Sequence, residues 1–197
     1  MKRIFLSFLA VLMLAAGTVP AWADYDPQVD YMAIMIKAAS EGDMQTGLEA
    51  EKSRSEKMDD MGIEGYEKIS FEDLYLLGKI IYAEAGSVWL SDEWKMCVGE
   101  VVLNRVASEE FPDTISEVLA QPGQYYENNK YFRELKPTER CVSLALRLLE
   151  GERVLDDESV VFQANFVQGS GTHTSYYDSQ LGWTYFCHSS RMNLYAA

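Results

Sequence analysis

Apolar positions recur at helical spacing through most of this chain and gather into short strand-like runs only toward its end. Tyr31, Ile34, Met35 and Ala38 mark a first helix, which Gly42-Asp43 breaks. A second helical stretch, residues 44–58, is rich in Glu, Lys, Ser and Ala and is interrupted by Gly62 and Gly65. Residues 24–69 therefore predict an acidic helical hairpin and linker. The hairpin has too few large apolar residues for a core of its own, so it is expected to pack on the rest of the chain or act as a spacer.

The main domain, residues 70–197, opens at Ser70-Phe71-Glu72-Asp73, which has the form of a capping box. Leu74, Leu77, Ile80 and Ile81 supply the buried stripe of that helix, and Gly86 is expected to end it. Ser91 can cap the next helix, whose first turn carries Asp92 and Glu93 at the positive end of the dipole. Gly99 on that helix predicts a close approach by another backbone. Pro112-Asp113-Thr114 starts a short third helix that ends in the turn Gln121-Pro122-Gly123-Gln124. A fourth runs from about Thr138 to Gly151, with Cys141, Leu144, Ala145, Leu148 and Leu149 on one face. Val160-Val161-Phe162 and Thr184-Tyr185-Phe186-Cys187 read as strands, with a flexible loop at residues 168–172 between them. The expected fold is mainly α with a small β element, an α+β class, preceded by the helical hairpin.

The segment before the hairpin changes where the protein is expected to work. A basic start, Met1-Lys2-Arg3, precedes an apolar run over residues 4–17, and Ala21 and Ala23 stand where signal peptidase needs small side chains. Residues 1–23 therefore read as a signal peptide. The run is short for a membrane span, so no stable membrane insertion is expected, and the mature chain is expected to be secreted. The formal net charge of −14 makes nucleic-acid binding by phosphate neutralisation implausible and argues against adhesion to anionic surfaces. Any substrate must be held by shape, stacking and hydrogen bonds.

Cys97, Cys141 and Cys187 allow at most one internal disulfide, and their spacing matches no metal or redox motif. They read best as small buried hydrophobes. His173 and His188, the only histidines, sit in unrelated contexts. No metal and no cofactor are expected, and the sequence is silent on oligomeric state.

Glu84 stands out on physical grounds. It lies three, four and seven residues after Ile81, Ile80 and Leu77, on the inward face near the end of its helix. Desolvation and the negative end of the helix dipole both disfavour its anion and prepare it as a general acid. Tyr82 and Trp89 are candidates for its apolar wall. The same placement suits a Glu that caps a neighbouring turn or pairs with Arg105. Glycosidases ordinarily use two carboxylates, and Glu93 and Glu100 are the candidates for the second, although Glu100 is as readily a mid-helix charge pointing to water. If the substrate's own hydroxyl attacks, one carboxylate suffices, acting first as acid and then as base. Gln124, Tyr125, Asn165, Phe166, Tyr176 and Tyr177, with the Gln121-Pro122-Gly123-Gln124-Tyr125-Tyr126 stretch, offer the amides and aromatic faces that sugar recognition requires. Any one of these tyrosines is equally ordinary core or turn material.

Four words then occur in order: Ile81-Tyr82-Ala83-Glu84-Ala85, Val101-Val102-Leu103-Asn104-Arg105-Val106, Phe111-Pro112-Asp113-Thr114-Ile115 and Gln121-Pro122-Gly123-Gln124-Tyr125. In this the chain resembles the cell wall hydrolase family of the SleB type over residues 70–188. The resemblance implies a lysozyme-like catalytic domain. It implies cleavage of the bond between N-acetylmuramic acid and N-acetylglucosamine in peptidoglycan glycan strands, with Glu84 as acid/base, by hydrolysis or lytic transglycosylation. It implies a cell-wall-associated, extracytoplasmic location. Two departures stand out. Family members often follow the Ala-Glu-Ala word with Arg-Gly-Glu, whereas this chain has Gly86-Ser87-Val88. Many also have a Gly-x-His word near the end, where this chain has Gly182-Trp183-Thr184. The first departure leaves open a non-catalytic peptidoglycan-binding or scaffold protein that keeps the cleft. A peptidase or amidase has no Cys-His or zinc-ligand pattern to support it.

Overall fold

The computed structural model describes residues 29–63, 69–125 and 130–195. The signal-peptide expectation, Gly65 and Tyr126 lie outside them. The described chain forms helices α1 (Tyr31–Glu41), α2 (Met44–Asp60), α3 (Phe71–Ala85), α4 (Asp92–Ala107), α5 (Ile115–Leu119), α6 (Lys130–Glu134) and α7 (Glu139–Leu149). Strands β1 (Val160–Ala164), β2 (Thr172–Asp178) and β3 (Gly182–His188) follow, then a 3-10 turn at Met192–Leu194. This is the mainly helical α+β architecture that the hydrophobic pattern predicts. No described helix is long and apolar enough to cross a membrane.

The caps explain where the helices begin. Ser70, Ser91, Thr114 and Thr138 each adopt extended backbone and accept a hydrogen bond from the amide three residues on. That satisfies one of the amides a helix start leaves unpaired. The Asp30 and Asp43 side chains accept the equivalent bond from Ala33 and Thr46 in the hairpin.

Two apolar clusters meet on α4. The larger joins Met35, Ala38 and Ala39 of α1 to Phe71, Leu74, Leu77, Ile80 and Ile81 of α3 and to Cys141, Val142, Ala145 and Leu148 of α7. The hairpin thus shares the main core. The smaller cluster packs Trp94, Cys97, Val98 and Val101 of α4 against Val160 and Phe186 of the sheet. Because α4 is covered on nearly all sides, even Lys95, Glu100, Asn104 and Arg105 are buried. Gly99 serves side chains rather than a backbone: a Cβ there would lie 2.6 Å from Leu148 and 2.9 Å from Ile81.

The sheet is antiparallel in the order β1-β3-β2. Strand β2 starts where the loop expected at residues 168–172 ends, in a stretch for which no strand is predicted. Its pattern is Ser, Thr and His mixed with tyrosine, which carries no clear alternation of apolar and polar positions. Both outer strands bulge opposite the end of β3. Val161 is the extra residue between the pairs Val160–His188 and Phe162–Cys187. His173 is the extra residue between Thr172–Cys187 and Thr174–Phe186. The three cysteines are buried and free, with no disulfide among them.

Candidate active site

Glu84 sits one residue before the end of α3, half-buried. Among the described residues it makes no hydrogen bond or ion pair, and burial raises its carboxyl above the usual carboxylate range. The alternative, a pairing with Arg105, does not form. Arg105 instead donates from Nε to the carbonyl of the bulged Val161 at 2.7 Å. Its guanidinium lies over the rings of Phe111 and Tyr125, each 5.1 Å to the centroid, and of Phe162 at 6.0 Å. It is only 4% exposed, and its Nη1 has no partner among the described residues.

Tyr125 links these two groups. It is strongly desolvated, which raises its phenol; the Arg105 charge opposes that shift and the Glu84 charge adds to it. Both charges are therefore close enough to act on one ring. The result is an acid/base candidate near Tyr125, whose ring also lies under the buried Arg105 cation. The chain brings it together from the end of α3, the last turn of α4, the turn after α5 and the first strand.

The end of α3 is braced from two directions. The buried Lys95 ammonium donates to the carbonyls of Ala85 and Ser87, the latter at 2.8 Å. Arg140 on α7 donates to the carbonyls of Val88 and Leu90 at 2.8 and 3.0 Å and pairs with Asp92 at 2.7 Å. A cation on the last carbonyls offsets the helix dipole locally, so burial rather than the dipole lifts Glu84. Gly86 is required sterically, since its φ of −68° is ordinary, yet a Cβ there would collide with the Tyr82 carbonyl oxygen.

Neither second carboxylate candidate resembles Glu84. Glu100 does not point to water: it is buried, and its Oε2 accepts from the backbone amides of Val154 at 2.7 Å and Leu155 at 3.0 Å. Burial still raises its pKa, against the pull of those two bonds. Glu93 is exposed on the first turn of α4, on the side of Tyr176.

The other sugar-binding candidates separate. Gln124 is exposed in the turn before Tyr125, and Asn165 and Phe166 are exposed just past β1. Tyr176 and Tyr177 part company because neighbours on a strand face opposite ways. Tyr176 goes inward, stacked on Trp94 at 5.3 Å and edge-on to Phe186 at 6.0 Å. Tyr177 stays 62% exposed, 5.2 Å from Trp183, which in turn stacks on Tyr185 at 5.8 Å. The register puts Tyr177, Trp183, Tyr185, Ala164 and Phe162 on one sheet face. That aromatic row ends at the ring Arg105 touches. Trp183 and Tyr185 were not among the sequence candidates, although their period-two spacing was there to be read.

The Cys97 thiol is a poor nucleophile. Burial pushes Cys97 up to about 12, and its Sγ rests 3.8 Å from the Tyr176 hydroxyl.

Residues 91–190, about half of the chain, match the family described as Cell Wall Hydrolase. The matched stretch contains Arg105, Tyr125 and the whole sheet and begins beyond Glu84. No curated protein matches the chain. A solved structure, the catalytic domain of the germination-specific lytic transglycosylase SleB from Bacillus anthracis, aligns at 23% identity with a TM-score of 0.46, covering 63% of this chain and 98% of that one. By the extent of the family match, this chain belongs to the cell wall hydrolase family.

Proposed function

We propose that the protein cleaves the glycosidic bond between N-acetylmuramic acid and N-acetylglucosamine in peptidoglycan, with Glu84 as general acid and then general base. The observation that carries this reading is a desolvated carboxyl with no partner among the described residues, near Tyr125, in a member of this family. Protonated Glu84 gives its proton to the leaving glycosidic oxygen as the C1–O bond breaks. The resulting carboxylate takes a proton from the incoming hydroxyl as the new C1–O bond forms, and the enzyme is restored. Glu100 is committed to backbone amides and Glu93 stands exposed on another helix turn, which favours one carboxylate serving both steps. The incoming hydroxyl is then the substrate's own, giving an anhydro-muramic end, rather than water. Gln124, Tyr125, Asn165, Phe166 and the row Tyr177–Trp183–Tyr185 are the groups assigned to sugar contact; Tyr176 serves them from behind by packing. The signal-like start of the chain fits secretion to the wall.

Digestion of purified sacculi by wild type and Glu84→Gln, with mass spectrometry of released muropeptides, tests this. The variant is expected to lose about 10²–10⁴-fold in rate while keeping its fold. Products lighter by one water identify transglycosylation. Undiminished release by Glu84→Gln would remove the mechanism, and a wild type that sediments with sacculi but releases nothing would establish a binding protein instead.

A further inference from the structure

The two histidines of the chain, fifteen residues apart in sequence, meet at the far end of the sheet. Their rings approach edge-to-face at 5.3 Å. Asp157 joins them from the loop before β1, its Oδ2 3.6 Å from His188 Nδ1. One donor atom from each of Asp157, His173 and His188 lies within 4.8 Å of the other two.

We propose that these three side chains form a site for one divalent cation of borderline softness, Zn²⁺ being the best fit. Two imidazoles and one carboxylate are the donor set such ions take, with a remaining position for water. The surroundings hold the ligands in place, as metal sites require. Asp157 Oδ1 accepts from the Ser159 amide at 2.8 Å, which leaves Oδ2 turned to His188. Ser159 Oγ meets His188 Nδ1 at 2.9 Å, a contact that orients the ring and that an ion on that nitrogen would replace, and Ser189 N donates to Ser159 O at 2.7 Å. Buried Asn104 fixes the same loop by donating to the carbonyls of Asp157 and Val160 at 3.3 and 3.0 Å.

His173 is present because β2 carries an extra residue at that point. A bulge re-aims one side chain, and this one gives the ring a position that regular pairing would deny it. The strongly acidic chain attracts cations, and Asp156 and Glu158 flank Asp157. Ligand atoms around tetrahedral zinc sit roughly 3.4 Å apart, so the cluster closes by little more than an ångström. Exposed His173 is free to supply that movement. A bound ion would clamp β2 and β3 to the loop that leads into β1.

The alternative is an Asp–His ion pair with the second ring edge-on to it, and binding measurements distinguish the two. Untagged protein stripped with a chelator is titrated with Zn²⁺ by calorimetry and with Co²⁺ by visible absorption. Wild type is expected to bind one equivalent and to gain thermal stability with Zn²⁺. His173→Ala, an exposed change, is expected to bind about tenfold or more weakly and lose that gain, as is Asp157→Asn. Three results overturn the site: no saturable binding by wild type, unchanged affinity in His173→Ala, or a thiolate-to-cobalt charge-transfer band assigning the ion to cysteine.

Discussion

Glu84 is costly to the fold when ionised, because burial withdraws water from an anion that no described residue compensates. Its raised folded-state pKa means the native protein binds more protons than the unfolded chain between the ordinary carboxylate value and the raised one. Stability therefore falls as pH climbs through that window and stays reduced above it. Glu84→Gln removes the anion, so its melting temperature should exceed wild type at pH 7 and converge with it near pH 4; equal differences at both pH values would contradict the burial reading. Activity should follow the same group, falling as pH rises through the raised pKa, as measured by sacculus clearing over a pH series. Glu100 is the opposite kind of buried acid. Glu100→Ala strands two backbone amides and should cost about 2–4 kcal/mol in a urea melt. Sequence spacing placed Glu84 inward because three apolar residues share its face. It could not distinguish Glu100 from a solvated charge, since the groups that bind Glu100 come from a loop more than fifty residues later.

At the level of elements, helix starts were readable because each cap is local: Ser70, Ser91, Thr114 and Thr138 act on amides within one turn. Strand β2 was not, because its identity depends on pairing with β3 and its bulge has no mark in one-dimensional pattern. The same limit hid the meeting of His173 and His188. The contact between α2 and α3 is likewise tertiary. Gly47 lies against the Phe71 ring so closely that an added Cβ would overlap it. Gly47→Val should therefore lift α2 from α3 at about 1–3 kcal/mol, seen as a lower melting temperature and faster amide exchange in residues 31–60.

For the molecule as a whole, a net charge of −14 sets the conditions of encounter with an anionic wall. Salt screens that repulsion, so the initial rate on intact sacculi should rise severalfold from ~10 mM to ~150 mM ionic strength, where the screening length falls to about 8 Å. A rate that falls instead would point to attractive charge pairing. The two apolar clusters share α4, so helices and sheet cannot loosen independently of it.

Past the sheet, Tyr195 turns back to the end of α4. Its hydroxyl meets Ser108 Oγ at 2.6 Å and donates to Glu110 at 3.0 Å, while Ser189 and Arg191 reach the same carboxylate. The tail is thereby knotted to the body through polar groups that leave water to do so. Anyone trimming this protein at a neat boundary after the final strand would cut the knot and leave Glu110 with fewer donors. Fusions are better joined through a spacer beyond Tyr195 than directly to the sheet.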